Sequence, residues 1–138
     1  MRRTLLLLIV IFFTIKSFTQ TLPNLGDSKQ EVKQSLANSH HKFIVSSSYP
    51  DKDTYSIGAA NDYVVFIYYF KNSDTCTRIV IIPKHKDILL GLIEGYNESA
   101  IVLSPYEWID YIKDKAISTK LLYDEDNNFQ YLQIKYTK

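Results

Sequence analysis

Cysteine and glycine are the scarce residues of this chain: one cysteine and four glycines in 138 residues. With Cys76 alone no intramolecular disulfide can form, so the hydrophobic core must supply the stability by itself. Cys76 sits in Thr75-Cys76-Thr77-Arg78 at the start of a strand-like run, which suits a buried structural thiol better than a nucleophile. Gly26, Gly58, Gly91 and Gly95 form neither the Gly-flanked elbow of a serine nucleophile nor a phosphate cradle. Histidine is limited to His40, His41 and His85, with no HxxxH or HExxH spacing, and adjacent side chains on extended backbone point to opposite faces. The clustered acids Asp124, Glu125 and Asp126 read as a solvated loop rather than a glycosidase pair. The chain is therefore expected to hold no catalytic site, no metal and no cofactor. Arginine is sparse as well: beyond residue 19 only Arg78 remains, which argues against nucleic acid as a partner.

What is present begins with an address. Met1-Arg2-Arg3 is a basic head, Leu5 to Ile15 is an apolar run, and Ser17-Phe18-Thr19 places small residues before Gln20. That order is the one of a secretory signal peptide over residues 1–19, cut after Thr19. The run holds about half of the roughly 20 apolar residues that a membrane-crossing helix needs, so no membrane span is expected after cleavage. No cysteine stands near the cut, which excludes lipidation by the usual signal. The product is expected in a periplasm or outside the cell. Cleavage removes Arg2, Arg3 and Lys16 from 16 basic groups and none of 15 acids, leaving 13 against 15 and a net charge of −2.

Residues 20–138 read as one α+β domain. Ser28-Lys29-Gln30-Glu31 is a capping box that opens a helix with Val32 and Leu36 on one face. Strand signals follow at 43–45 and 55–57, then Tyr63-Val64-Val65-Phe66-Ile67-Tyr68-Tyr69-Phe70, and Arg78-Ile79-Val80-Ile81-Ile82 before Pro83. The last two are apolar on both faces, which predicts central strands covered on each side. A helix is expected over 86–96, burying Ile88, Leu92 and Tyr96, and a short strand at 101–103. Ser104-Pro105-Tyr106-Glu107 repeats the capping-box pattern and predicts a third helix burying Trp108, Ile109 and Ile112. Ile117, Thr119 and Leu121 alternate along one arm of a C-terminal hairpin, and Leu132, Ile134 and Tyr136 along the other. The expected fold is thus an antiparallel sheet, a meander plus a hairpin, packed by two to three helices. No repeat or low-complexity tract is visible in the sequence.

Eleven tyrosines and seven phenylalanines are the one compositional excess. Tyrosine combines a large apolar surface with a polar tip and is enriched at protein interfaces. Tyr63, Tyr68, Tyr69 and Trp108 are the residues expected to form a binding surface. The segment Leu25-Gly26-Asp27-Ser28-Lys29-Gln30-Glu31-Val32-Lys33-Gln34-Ser35-Leu36 resembles the opening of the β-lactamase-inhibitor-protein-like superfamily, which includes the small outer-membrane assembly lipoprotein domain. The chain departs from that pattern after the helix, where Ala37-Asn38-Ser39 replaces the usual Gly and Pro, and it lacks a disulfide pair. The resemblance implies a helix leading into an antiparallel sheet, and a non-catalytic domain that binds proteins of the envelope or the extracellular space. The signal peptide followed by Gln20 is similar to those of Bacteroidota. Three functions remain in view: a protein-binding module, a small-molecule or lipid carrier with an apolar cavity beneath the second helix, and a small exported hydrolase.

Overall fold

The computed structural model describes residues 22–137. The signal peptide expected over 1–19 and its cleavage point lie outside the described residues. Two helices and eight strands follow one another as α1 (Lys29–Asn38), β1 (Ile44–Asp51), β2 (Thr54–Ala60), β3 (Val64–Lys71), β4 (Arg78–Pro83), α2 (Lys86–Ser99), β5 (Ile101–Ser104), β6 (Glu107–Ile112), β7 (Lys115–Asp124) and β8 (Phe129–Tyr136). All eight strands join one antiparallel sheet in the order β1-β2-β3-β4-β8-β7-β6-β5. This is an α+β fold, richer in strand than the sequence suggests.

The order conceals a topological repeat. A helix followed by a four-stranded meander occurs twice, and the last strands of the two halves, β4 and β8, pair at the centre of the sheet. No similarity of side chains announces it, because what repeats is the chain path.

α1 forms where expected. The Ser28 hydroxyl accepts the Glu31 backbone N–H at 3.1 Å, while the Glu31 carboxylate accepts the Ser28 N–H at 2.7 Å. Two of the four orphan donors of the helix start are thereby satisfied. Just before it, Gly26 adopts φ +86°, and a Cβ there would stand 2.9 Å from the Tyr136 hydroxyl. Its N–H donates to the Cys76 carbonyl, so the entry to α1 is stitched to the approach to β4.

Both helices pack on one face of the sheet. One row of that face runs across seven strands through the paired positions Ile57, Tyr68, Ile79, Ile134, Thr119, Trp108 and Val102. Val32 and Leu36 of α1 close over one half of the core; Leu92, Ile93 and Tyr96 of α2 close over the other. Side chains alternate between faces along every strand, so the residues between these point the other way. That second face carries no helix among the described residues. The expectation that β3 and β4 are covered on both sides is corrected accordingly: their second apolar faces shield one another laterally instead.

The third helix is also corrected. Residues 107–112 are strand β6, and Ser104-Pro105-Tyr106 is the turn into it. The Ser104 hydroxyl accepts the Tyr106 N–H, a local turn bond, rather than a helix-capping bond three residues on. β-Branched and aromatic residues at 108–112, paired along their length with β7 and at Trp108 and Ile109 also with β5, gain more from the ladder than from a two-turn helix.

Candidate functional site

The four residues expected at a binding surface do not stand together. Tyr68 and Trp108 are buried on the helix-covered face, at 1% and 0% exposure, and are corrected to core. Burial pushes the Tyr68 phenol well above its ordinary range. The Trp108 indole N–H donates to Asn97 Oδ1 of α2 at 2.8 Å. Tyr63 is exposed in the β2–β3 turn, its ring edge against His85 with centroids 6.3 Å apart. Tyr69 alone points from a strand onto the uncovered face, opposite to Tyr68 in the pleat.

That face is built by register. Its middle row runs Gly58, Ile67, Val80, Gln133, Lys120 and Glu107 across β2, β3, β4, β8, β7 and β6. On one side of it stand Val65 and Ile82, with Tyr131 and Leu122. On the other side a polar row spans all eight strands: Ser48, Ser56, Tyr69, Arg78, Lys135, Ser118, Ile109 and Ile101. β1 and β2 contribute mostly small residues here, Ser46, Ser48, Ser56, Gly58 and Ala60, with the exposed Ile44 at one end, while β3, β4 and β8 contribute large ones. One side of the face is therefore low and the centre is raised with apolar and aromatic groups.

This face carries Lys71, Arg78, Lys120 and Lys135 beside Asp51, Glu107 and Asp124. Lys120 meets Glu107 at 3.7 Å. Asp51 lies at the β1–β2 turn, its carboxyl held below the ordinary range by the Asp53 N–H, the Thr54 hydroxyl and, more weakly, the Lys71 ammonium. Arg78 and Lys135 occupy directly paired positions of β4 and β8 with no acid in ion-pair range of either among the described residues. The Arg78 guanidinium lies over the Tyr69 ring, 4.0 Å from its centroid. Ser118, paired with Lys135, buries a hydroxyl that has no hydrogen-bond partner. Period-two alternation puts Tyr69 opposite Tyr68 from sequence without telling which of the two is outward, and the meeting of Arg78, Lys135 and Ser118 depends on long-range pairing and leaves no local signal.

Other chemistry-bearing groups are scattered. Cys76 is fully buried, its thiol pushed up to about 12 by burial, and its S–H is directed at the Arg78 carbonyl. His85 is bonded through Nε2 to the Asp62 carbonyl. No group of three His, Cys, Asp or Glu residues able to hold a metal ion occurs among the described residues. An open groove of about 340 Å³ lies at the far end of the helix-covered face, where Lys29, Tyr49, Asp53, Tyr55, Phe70 and Asp74 meet. Its aromatic floor is already occupied, since the Lys29 and Lys33 ammoniums sit 4.9 and 5.6 Å from the Tyr55 ring centroid. Among the described residues no helix is long and apolar enough to cross a membrane. No family model, curated protein or solved structure matches the chain.

Proposed function

We propose that the chain is an exported, non-catalytic module that binds another protein, of the envelope or the extracellular space, through the uncovered face of its sheet. The observation that carries this reading is the one-sided packing: eight strands with both helices on one face, and on the other a group of half-buried apolar and aromatic side chains, Val65, Ile67, Tyr69, Ile82 and Tyr131, with Ile109 beyond the charged row. Monomeric proteins rarely leave so broad an apolar and aromatic surface without a use. The face has the size for the task. Eight strands about 4.8 Å apart span about 34 Å, and seven residues of strand about 23 Å, which together approach the roughly 800 Å² that a stable interface takes from each partner. Export rests on the basic head, apolar run and small-residue cut of residues 1–19.

The carrier reading has less to support it. Leu92, Ile93 and Tyr96 of α2 pack directly onto the core, and the groove by Tyr55 is open and rimmed by charge.

The test is photo-crosslinking in the native host. A photoreactive amino acid at Ile67, on the uncovered face, is compared with one at Gln34, on the exposed side of α1. Repeated capture of one protein from position 67 and not from 34 is the expected result. Equal capture from both, or none from 67, overturns the reading.

A further inference from the structure

The polar row of the uncovered face sets two like charges side by side. Arg78 and Lys135 lie directly opposite one another on neighbouring antiparallel strands. Like charges so placed repel and destabilise the sheet. On the same face Lys120 has an acid, Glu107, at 3.7 Å. The chain is not short of carboxylates, with 15 Asp and Glu in all, yet none stands within ion-pair distance of Arg78 or Lys135 among the described residues.

Two further features point outward to a missing anion. The Arg78 guanidinium rests over the Tyr69 ring at 4.0 Å, a contact that restricts its freedom and lowers the entropy lost when it binds. Ser118, the next position along the row after Lys135, keeps a buried hydroxyl with no partner, a group that ordinarily is hydrogen-bonded. Arg78 and Lys135 are neighbours in one transverse row, so a single extended acidic segment lying across β4 and β8 can reach both cations, with Ser118 next in the row.

We infer that this row is the seat for carboxylates of the bound protein, and that the partner presents an acidic segment flanked by apolar side chains. The inference rests on the protein-binding reading above and adds the chemistry of the partner. The flanking, partly exposed Ile67, Ile109 and Tyr69 favour a protein surface over a phosphate headgroup or a nucleic acid backbone, since they offer apolar contacts beside the charge. A second copy of the chain is disfavoured, because its own corresponding face presents the same cations.

The experiment is an NMR titration of the ¹⁵N-labelled, purified protein with an eight-residue peptide alternating Asp with Tyr and Leu. The same peptide with Asn for Asp, and vesicles of an anionic phospholipid, serve as comparisons. Expected are amide shifts centred on Tyr69, Arg78, Ser118 and Lys135, at least tenfold weaker binding of the Asn peptide, and loss of that discrimination in the double variant Arg78→Gln, Lys135→Gln. Equal affinity of both peptides for this face overturns the carboxylate seat and leaves the protein-binding face standing. Shifts confined to other surfaces overturn both. Response to vesicles but to neither peptide assigns the row to lipid and overturns the inference, as does the absence of any response. Retention of the wild-type spectrum outside the row shows that the double variant is folded.

Discussion

Asn97 on α2 accepts the indole N–H of Trp108 on β6 at 2.8 Å, and this bond ties the second helix to the sheet beneath it. Trp108 is fully buried, with its ring 5.6 Å from that of Tyr96. An indole N–H left unpaired in such a place costs its full desolvation. Asn97→Ala is therefore expected to destabilise the fold by about 1–3 kcal/mol. Asn97→Asp, which keeps an acceptor, should cost less. Trp108 is the only tryptophan, so its fluorescence during urea unfolding reports both variants directly. Equal midpoints for wild type and Asn97→Ala would remove the bond from the account. Asn97 also opens the sequon Asn97-Glu98-Ser99, and its bond to Trp108 gives it a structural reason to be there.

Trp108 also marks the boundary of what the sequence makes legible. Its burial follows from its type, but its secondary structure was hidden. Trp108, Ile109 and Ile112 have helical spacing, and the core-facing position between them is Asp110, at the margin of the sheet, which masks the strand alternation. Where local chemistry decides, as in the Ser28–Glu31 box or the alternation of β7 and β8, sequence and structure agree. Of the candidate site the sequence shows only that Tyr69 and Tyr68 face opposite ways, by period two. Arg78 and Lys135 meet through the pairing of β4 with β8, strands from opposite halves of the chain, and their register is set by the whole sheet.

Cys76 gives a pH dependence with a definite sign. Burial raises its thiol from an ordinary value of 9.0 to about 12. The unfolded chain then loses this proton at lower pH than the folded one, so stability falls as pH rises from about 9 towards 12. Tyr68 and Tyr96, raised by burial in the same way, add to the fall at higher pH. The difference in Tm between wild type and Cys76→Ala should accordingly narrow above about pH 9. In the native state the thiol should also resist modification by a disulfide reagent at pH 8 until the protein unfolds. Rapid native modification would contradict its burial.

At acid pH the sign reverses. Backbone and side-chain hydrogen bonds with Ser28 hold the Glu31 carboxyl below its ordinary range. Such a group stabilises the fold above its unfolded value, and the contribution is lost as pH falls through the folded one. Glu31→Gln removes the titration and keeps an acceptor, so its Tm should approach that of wild type as the pH is lowered below about 4. Ser28→Ala removes the other half of the box and should cost about 1 kcal/mol at neutral pH. Parallel Tm curves for wild type and Glu31→Gln across this range would show the bond to be idle.

The two sheet edges differ in protection. β1 carries Pro50, which cannot donate to an incoming strand, and follows Lys42. β5 offers Ile101, Val102 and Leu103, at 55%, 49% and 56% exposure, with no charge among them. Concentration-dependent association should therefore proceed through β5. Leu103→Lys is expected to suppress it in light scattering, while a lysine at Ser46 on β1 should have little effect. The opposite ranking would place the weak edge at β1.

Lys135→Glu separates the stability of the central row from its use. The substitution turns a repelling cross-strand pair with Arg78 into an attracting one. Opposite charges at directly paired positions are worth up to about 1 kcal/mol, so the folded state should gain about that much rather than lose it. A surface substitution that merely disturbed packing would do the reverse. The gain should shrink in high salt, because the Debye length falls from about 10 Å at 0.1 M to about 3 Å at 1 M and screens exposed charge. If Lys135→Glu lowers Tm at low salt, then Arg78 and Lys135 do not repel one another across β4 and β8, and the row holds no unmet demand for an anion. A rise in Tm together with loss of the acidic peptide is what a binding surface kept at the expense of stability produces.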